Sequence, residues 1–461
     1  MASGFSGLGA LILAAGKGTR MHSDKPKVLQ TLLGEPMLAY VMAALAPVMG
    51  EAVWAVIGHN ADMVRKAFPE FEAQQRFILQ EQQLGTGHAL QMAWPTLRAA
   101  GLEKVIVVNG DTPLLSADTV ARFVEGLGDA DVAFMTLTLP EAGAYGRVVR
   151  DADGAVKAIV EAKDYDEDIH GPEPKEINTG IYSVRLDAVE KLLSQLSNDN
   201  RSAEYYITDI VGLAVAQGMQ VLGIECGDDP SLLGVNNPVE LSRSEELLSQ
   251  RITLECMEKG VIMHAPQGVR IGPFALVEAG AEITGPCEIY GKSHVARGAV
   301  IESHCWMKDA YIDSGSVVKS FSHIERASVG KFCSVGPFAR LRPDAILENE
   351  ARIGNFVEMK KARLGHGAKA GHLSYLGDAD IAAGCNIGAG TITCNYDGKN
   401  KHRTVIGENA FIGSNTALVA PVSIGDGSIV GAGSVITKDV PSDHLAIARE
   451  RQRNLPRKRG A

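Results

Sequence analysis

Residues 271–307 read IGPFALVEAGAEITGPCEIYGKSHVARGAVIESHCWM, and every sixth position is apolar: Ile271, Val277, Ile283, Ile289, Val295, Ile301 and Met307. Neither the helical nor the strand period reproduces that spacing over such a length. A period of six describes short strands joined by turns, each sending one apolar side chain into a shared column. The spacing returns at Val329, Val335, Leu341, Leu347, Ile353 and Met359, and again at Ile406, Ile412, Leu418, Ile424, Val430 and Ile436. The pattern predicts a parallel β-helix of hexapeptide repeats, with about nine turns and a length of roughly 40 Å. The intervals Met307–Ile312, Ile324–Val329, Met359–Leu364 and Leu376–Ile381 are one residue short and predict tighter corners.

Working outward, the repeat breaks after Thr393. Residues 394–403, CNYDGKNKHR, are polar and lack the apolar residue due near 399, as expected of a loop extruded from the solenoid. The tail carries Arg449, Arg451, Arg453, Arg457, Lys458 and Arg459 against Glu450. It is expected to lack fixed structure and to be able to offer cations to an anionic ligand. On the other side, Leu241, Leu248 and Ile252 fall on one helical face, with Gly260 as a stop, so 237–260 reads as a helical linker.

Residues 8–230 follow a different grammar. Apolar runs at 8–15, 53–57, 105–108, 132–139 and 180–184 alternate with helical patterns such as 37–48. That alternation, with glycines at strand ends, predicts an α/β domain with helices on both faces of a mostly parallel sheet. Ligands of such sheets bind outside the carboxyl ends of the strands. The expected domains are thus 1–236, the linker 237–260 and a β-helix over 261–461.

Composition fits a folded chain. Of 461 residues, 45% are hydrophobic, enough to exclude global disorder. The net charge of -10 argues against nucleic acid as the main partner. Seven cysteines without a C-x-x-C pair argue against a disulfide framework or a zinc site and favour a reducing, cytoplasmic compartment. No apolar run reaches the ~20 residues that span a bilayer, so no membrane role is expected.

The chemistry concentrates at strand ends. Leu13-Ala14-Ala15-Gly16-Lys17-Gly18-Thr19-Arg20-Met21 follows the first strand, with Lys27 close behind. No G-K-[ST] closes it, and Met21 stands where a dinucleotide fingerprint needs glycine. Glycines there let backbone N–H groups approach phosphates, and Arg20 and Lys27 add the positive charge a departing pyrophosphate needs. Asp111 follows the strand at 105–108 and suits Mg²⁺, which takes hard oxygens beside substrate phosphates.

These motifs, with Pro26-Lys27, residues 83–89 (QLGTGHA), Gly110-Asp111, Tyr145-Gly146-Arg147, Glu161, residues 177–180 (INTG) and 234–237 (GVNN), resemble those of sugar-nucleotide pyrophosphorylases. Joined to the hexapeptide column with residues 340–343 (RLRP), 371–375 (GHLSY) and 388–391 (GAGT), the whole of 8–450 resembles a bacterial bifunctional family. That family is the N-acetylglucosamine-1-phosphate uridyltransferases / glucosamine-1-phosphate acetyltransferases. The resemblance implies a left-handed β-helix and a homotrimer. It also implies two reactions that supply UDP-N-acetylglucosamine for cell-wall and lipid A synthesis. Acetyl would pass from acetyl-CoA to glucosamine-1-phosphate, and the product would join UTP with release of pyrophosphate.

The resemblance also assigns residues. Leu13, Ala14, Ala15, Gly16, Lys27, Gln80, Gly85, Thr86, Asn109, Gly110, Asp111, Gly146, Glu161, Asn178 and Asn236 would bind the sugar nucleotide. Within that set Gln80, Gly85 and Thr86 would read the uracil, and Asp111 and Asn236 would hold Mg²⁺. Asn109 stands where some relatives carry an aromatic. Arg342, Lys360, Tyr375 and Asn386 would surround the sugar phosphate, with His372 as the base. Ala389, Asn395, Tyr396, Ser414, Ala432 and Arg449 would contact acetyl-CoA. Two alternatives are a nucleotidyltransferase whose solenoid only oligomerises it, and a regulatory scaffold without catalysis. His372, Arg342 and Lys360 count against the first, and the presence of Arg20, Lys27 and Asp111 against the second.

Overall fold

The structure, a computed structural model, describes residues 7–227 and 229–455. Arg457, Lys458 and Arg459 of the basic tail lie outside the described residues. The chain divides into two compact units, Met1–Glu246 and Leu247–Ala461. The division falls inside the helix Pro238–Glu258.

In the first unit the sheet runs, in spatial order, Val221–Glu225, Val132–Thr138, Glu176–Arg185, Lys104–Asn109, Leu8–Ala14, Val53–Ile57 and Phe77–Leu79. Neighbours pair in parallel except at Glu176–Arg185, which runs against both of its neighbours. The inner strands are buried on both faces, which is why they read as continuous apolar runs, while the edge strands Val221–Glu225 and Phe77–Leu79 are partly exposed. Ala10, Ile12 and Ala14 enter one core and Leu11 the other, the alternation a strand imposes. The first strand lies between one that follows it by a helix crossover and one much later in the chain. That is a switch point, where a crevice opens beyond the strand ends. Leu13 pairs with Asn109, so the glycine loop and Asp111 leave the sheet side by side.

The second unit is a left-handed parallel β-helix whose three faces carry 11, 10 and 9 strands. Residues of the period stack in register, Ile283 on Ile301 and Ile289 on Met307, and their side chains are fully buried. The coil is longer than its apolar period predicts, because strands already run at Ile262–His264 and continue to Leu445–Ala446. Ten turns at about 4.8 Å each replace the expected nine. The four short intervals all fall at the corner from the second face to the third. Each has a residue in the left-handed region, Asp309, Arg326, Lys361 or Asp378, with φ of 51°, 44°, 48° and 46°. Asp344, with φ 66°, holds the same place in the six-residue interval Leu341–Leu347, so a left-handed residue is not particular to the short corners and does not by itself shorten them. The polar loop after Cys394 leaves from the same corner, closed by an antiparallel bridge between Tyr396 and Lys401. Ile252 and Cys256, on the last turns of the helix, pack against the solenoid core.

Candidate functional site

The first site is built at the strand ends of the α/β unit. Gly18 has φ 61°, and a Cβ there would stand 2.6 Å from that of Lys27, so this turn requires glycine. The turn brings Lys27 back toward the sheet, where its ammonium contacts the Asp111 carboxylate and donates to Asn236 Oδ1 at 2.9 Å. Arg20 donates to the same Asn236 oxygen, also at 2.9 Å. Asn236 is fixed from behind. Its N–H donates to Glu240 at 2.7 Å, while Asn237 accepts from Val239 and Glu240 at the start of the helix. Glu240 thus joins both asparagines at the start of the helix, a role the sequence analysis did not single out although the Asn-x-x-Glu spacing at 237–240 carries it. Asp111 is held by its carbonyl, which accepts from Val235 at 2.8 Å, while its Oδ1 is buried without a hydrogen-bond partner among the described residues.

Two hollows meet here. One, of 590 Å³, is lined by residues 13–20, Lys27, Gln80, Gly85, Thr86, Asn109 and Asp111. The other, of 390 Å³, is lined by Tyr145, Gly146, Glu161, Asn178 and Asn236, and shares Arg20, Thr86, Asn109 and Asp111 with the first. Every expected sugar-nucleotide residue lines one hollow or the other except Gly110. A Cβ at Gly110 would stand 3.1 Å from Val28 and 3.2 Å from Ala14, so its role is close packing. Asn109 and Gly180 touch so closely that a Cβ on Gly180 would collide with the Asn109 amide at 2.2 Å. An aromatic in place of Asn109 would need that space.

Burial sets the electrostatics of the second hollow. Desolvation pushes the Glu161 carboxyl above the usual carboxylate range, only partly offset by the hydroxyl of Thr208 donating at 3.0 Å. Burial, with Glu240 and Asp111 nearby, pushes Tyr145 up to about 12. Asn178 donates to the Tyr182 hydroxyl and accepts from the Gly180 N–H at 3.0 Å, which fixes its amide. The oxygens of Asp111 and Asn236 converge on a single positive point, the Lys27 ammonium. Together with the orphaned Asp111 Oδ1, that convergence fits a hard cation bound beside phosphates. Among the described residues no group of three or more His, Cys, Asp or Glu could hold a metal ion.

The second site lies on the β-helix. Arg342, Lys360 and Tyr375 sit on the second face in consecutive turns. Arg342 donates to Glu358 at 2.8 Å. Lys401, from the polar loop, contacts Lys360 and holds its ammonium below the usual lysine range, with Arg342 and Lys361 adding to the effect. Like charges gathered so closely are what an anion would relieve. Neither Lys401 nor Lys361 was singled out from the sequence, although the loop that carries Lys401 was.

His372 stands at the corner leading into the second face. Its Nδ1 bonds Asn355 Oδ1 at 2.7 Å, one turn back in register. A carbonyl oxygen only accepts, so Nδ1 carries a proton, and Nε2 of the neutral ring is left as the basic nitrogen. Ala389, Ser414 and Ala432 repeat at that same corner in the following turns. The stacking is tight: a Cβ at Gly388 or Gly413 would reach the next turn's backbone at 2.6 or 2.4 Å. The Arg449 side chain comes within 3.9 Å of the Gly433 Cβ position. The other expected positions are elsewhere on the coil. Asn386 lies on the first face, stacked on Lys369. Asn395 and Tyr396 are in the loop at the far corner, where Asn395 is buried against Asp378 and Tyr396 is exposed with its hydroxyl on Gly398. One coil therefore presents the acetyl-CoA set at two separate corners.

Residues 10–151 match the MobA-like NTP transferase domain family, and residues 403–438 match the bacterial transferase hexapeptide family of six repeats. Similar proteins cover nearly the full chain. One from Nitratidesulfovibrio vulgaris (strain Hildenborough) is 72% identical over 450 residues, 98% of each chain. One from Oleidesulfovibrio alaskensis is 62% identical over 98% of each, and one from Lawsonia intracellularis 48% over 98% of each. All three bear the name Bifunctional protein GlmU.

Proposed function

Because this chain belongs to the family of the bifunctional GlmU proteins, it is a bifunctional transferase, and we propose that each unit carries one of its two reactions. The β-helix transfers acetyl from acetyl-CoA to the amine of glucosamine-1-phosphate. The α/β unit then joins N-acetylglucosamine-1-phosphate to UTP, giving UDP-N-acetylglucosamine and pyrophosphate.

In uridylyl transfer the sugar phosphate oxygen attacks the α-phosphorus in line, so the protein's task is positioning and charge neutralisation. The glycine loop offers its amides to the phosphates, and Arg20 and Lys27 meet the charge on the departing pyrophosphate. Glu161, Asn178 and the backbone at Gly146 hold the sugar. Asp111 and Asn236 would hold Mg²⁺, which supplies further neutralisation between the phosphates. Lys27 then exchanges its carboxylate for a phosphate oxygen.

In acetyl transfer Arg342, Lys360 and Tyr375 hold the sugar phosphate. His372 Nε2 takes the amine proton as nitrogen attacks the thioester carbonyl, and coenzyme A leaves as the thiolate. The separation of the acetyl-CoA positions over two corners supports a homotrimer in which neighbouring copies complete each acetyl site. The substrates place this work in the cytoplasm. Among the described residues no helix is long and apolar enough to cross a membrane.

The observation that carries the first assignment is the meeting of Arg20, Lys27, Asp111 and Asn236 at one point from positions up to 216 residues apart. A paired assay tests the whole reading, following acetyl transfer and pyrophosphate release with and without Mg²⁺. Both activities are expected, with only pyrophosphate release lost on chelation. Absence of acetyl transfer would leave a nucleotidyltransferase with an assembling solenoid.

A further inference from the structure

Gln80 is only 2% exposed and lines the larger hollow. Its backbone is pinned, the N–H donating to Ile57 at 2.8 Å and the carbonyl accepting from Gln83 at 2.9 Å. The side-chain amide nitrogen is 3.1 Å from the Gly85 carbonyl oxygen and 2.9 Å from His88 Nδ1. An amide nitrogen only donates, so His88 Nδ1 accepts, and the ring keeps its proton on Nε2. Both donors of Gln80 are thus spent on the protein, while Oε1 has no hydrogen-bond partner among the described residues and is not sealed from the hollow.

We propose that His88 is a specificity-determining residue of uridylyl transfer: it locks the Gln80 amide with Oε1 toward the base, selecting a pyrimidine that carries N–H at ring position 3 over one with a bare nitrogen there. The inference rests on the reading of Gln80 as a base-reading residue. Uracil offers a donor at that position and cytosine an acceptor. A Gln80 free to turn over would offer Nε2 and accept cytosine. Turning over now sets Oε1 against the Gly85 carbonyl and, to keep the His88 bond, obliges the imidazole to move its proton from Nε2 to Nδ1. His88 acts through Gln80 and has no part in the chemical step.

The test measures pyrophosphate release by the full chain with UTP and with CTP, comparing kcat/KM ratios. His88→Leu removes the acceptor and is expected to lower the UTP/CTP preference about 10-fold. His88→Ala reads the same ratio should leucine not be tolerated. His88→Asn returns an oxygen acceptor near the Nδ1 position and should restore the preference. A packing role alone would lower both nucleotides equally, and an unchanged ratio in His88→Leu and His88→Ala overturns the lock. Gln80→Leu separates the two layers. If it leaves the ratio unchanged, the base-reading role of Gln80 fails. If it collapses the ratio while the His88 variants do not, only the lock fails. Acetyl transfer by the same preparations reports that the chain is intact.

Discussion

In the α/β unit the groups around Asp111 come from stretches of chain far apart, Arg20 and Asn236 being 216 residues distant. In the β-helix the comparable pairs sit one turn apart: Asn355 and His372 are separated by 17 residues, Arg342 and Glu358 by 16. One site depends on the whole topology of a sheet and its last loop. The other depends on the register of adjacent turns, in a fold whose stability is roughly a sum of neighbour terms. The two should therefore respond differently to single substitutions, and each should be silent to damage in the other.

The strongest test of that contrast is a reciprocal pair. Asp111→Ala removes the carboxylate on which Lys27 and a hard cation converge, and is expected to lower pyrophosphate release by about 10³-fold or more. His372→Ala removes the base, and is expected to lower acetyl transfer by about 10²–10⁴-fold. Each should leave the other reaction near its original rate. If His372→Ala, folded and assembled, turned over acetyl-CoA normally, the imidazole would be a structural group. If Asp111→Ala slowed acetyl transfer, the units would not be independent.

The same contrast governs what could be read before the structure. The six-residue period exposed the solenoid directly, since each repeat sends one side chain such as Ile283 or Ile289 to the column. The partner of His372 stayed hidden because a plain repeat of 18 residues points back to Gly354. The short interval Met359–Leu364 removes one residue from that turn and brings Asn355 into line. The ends of the coil, at Ile262 and Leu445, fall within the expected 261–461 domain but lack the regular period, so the count of turns read from that period was one short. In the first unit Gly16–Gly18 and Asp111 were visible as strand-end motifs. That Arg20 and Lys27 share one oxygen of Asn236 follows from the sheet order, which no local spacing encodes.

Two smaller effects sharpen the picture within the β-helix. Lys360→Ala should raise the KM for glucosamine-1-phosphate about 10-fold with a lesser change in kcat, because a charge-assisted contact to phosphate is lost. Its melting temperature should hold or rise, since the pressure of Lys401 on Lys360 is relieved. A clear loss of stability would mean that Lys360 is held by partners other than a ligand. Asn355→Leu should lower acetyl kcat several-fold, about the worth of one orienting hydrogen bond, and leave both KM values close to unchanged. Asn355→Asp keeps an acceptor facing Nδ1 and should recover the rate. Equal losses in both variants would reduce Asn355 to a packing residue.

The smallest effect belongs to the α/β unit and concerns Asp209, at the first turn of the helix Asp209–Ala216. Burial, with Asp164 nearby, pushes its carboxyl up to about 6 from an ordinary 3.8. A raised carboxyl holds its proton more tightly in the folded chain than in the unfolded one. Folding therefore loses stability from this group as pH rises from about 4 to about 6, and carries the full cost above that. Glu161 is raised for the same leading reason and acts with the same sign. Asp209→Asn removes the charge and keeps the shape. It should raise the melting transition of the α/β unit by about 2 °C at pH 7, since the group is partly solvated, and leave it unmoved near pH 4. The β-helix transition, governed by contacts between its own turns, should not shift at either pH. A gain that persisted at pH 4 would trace to helix packing rather than charge, and a shift of both transitions would show that the two units unfold together.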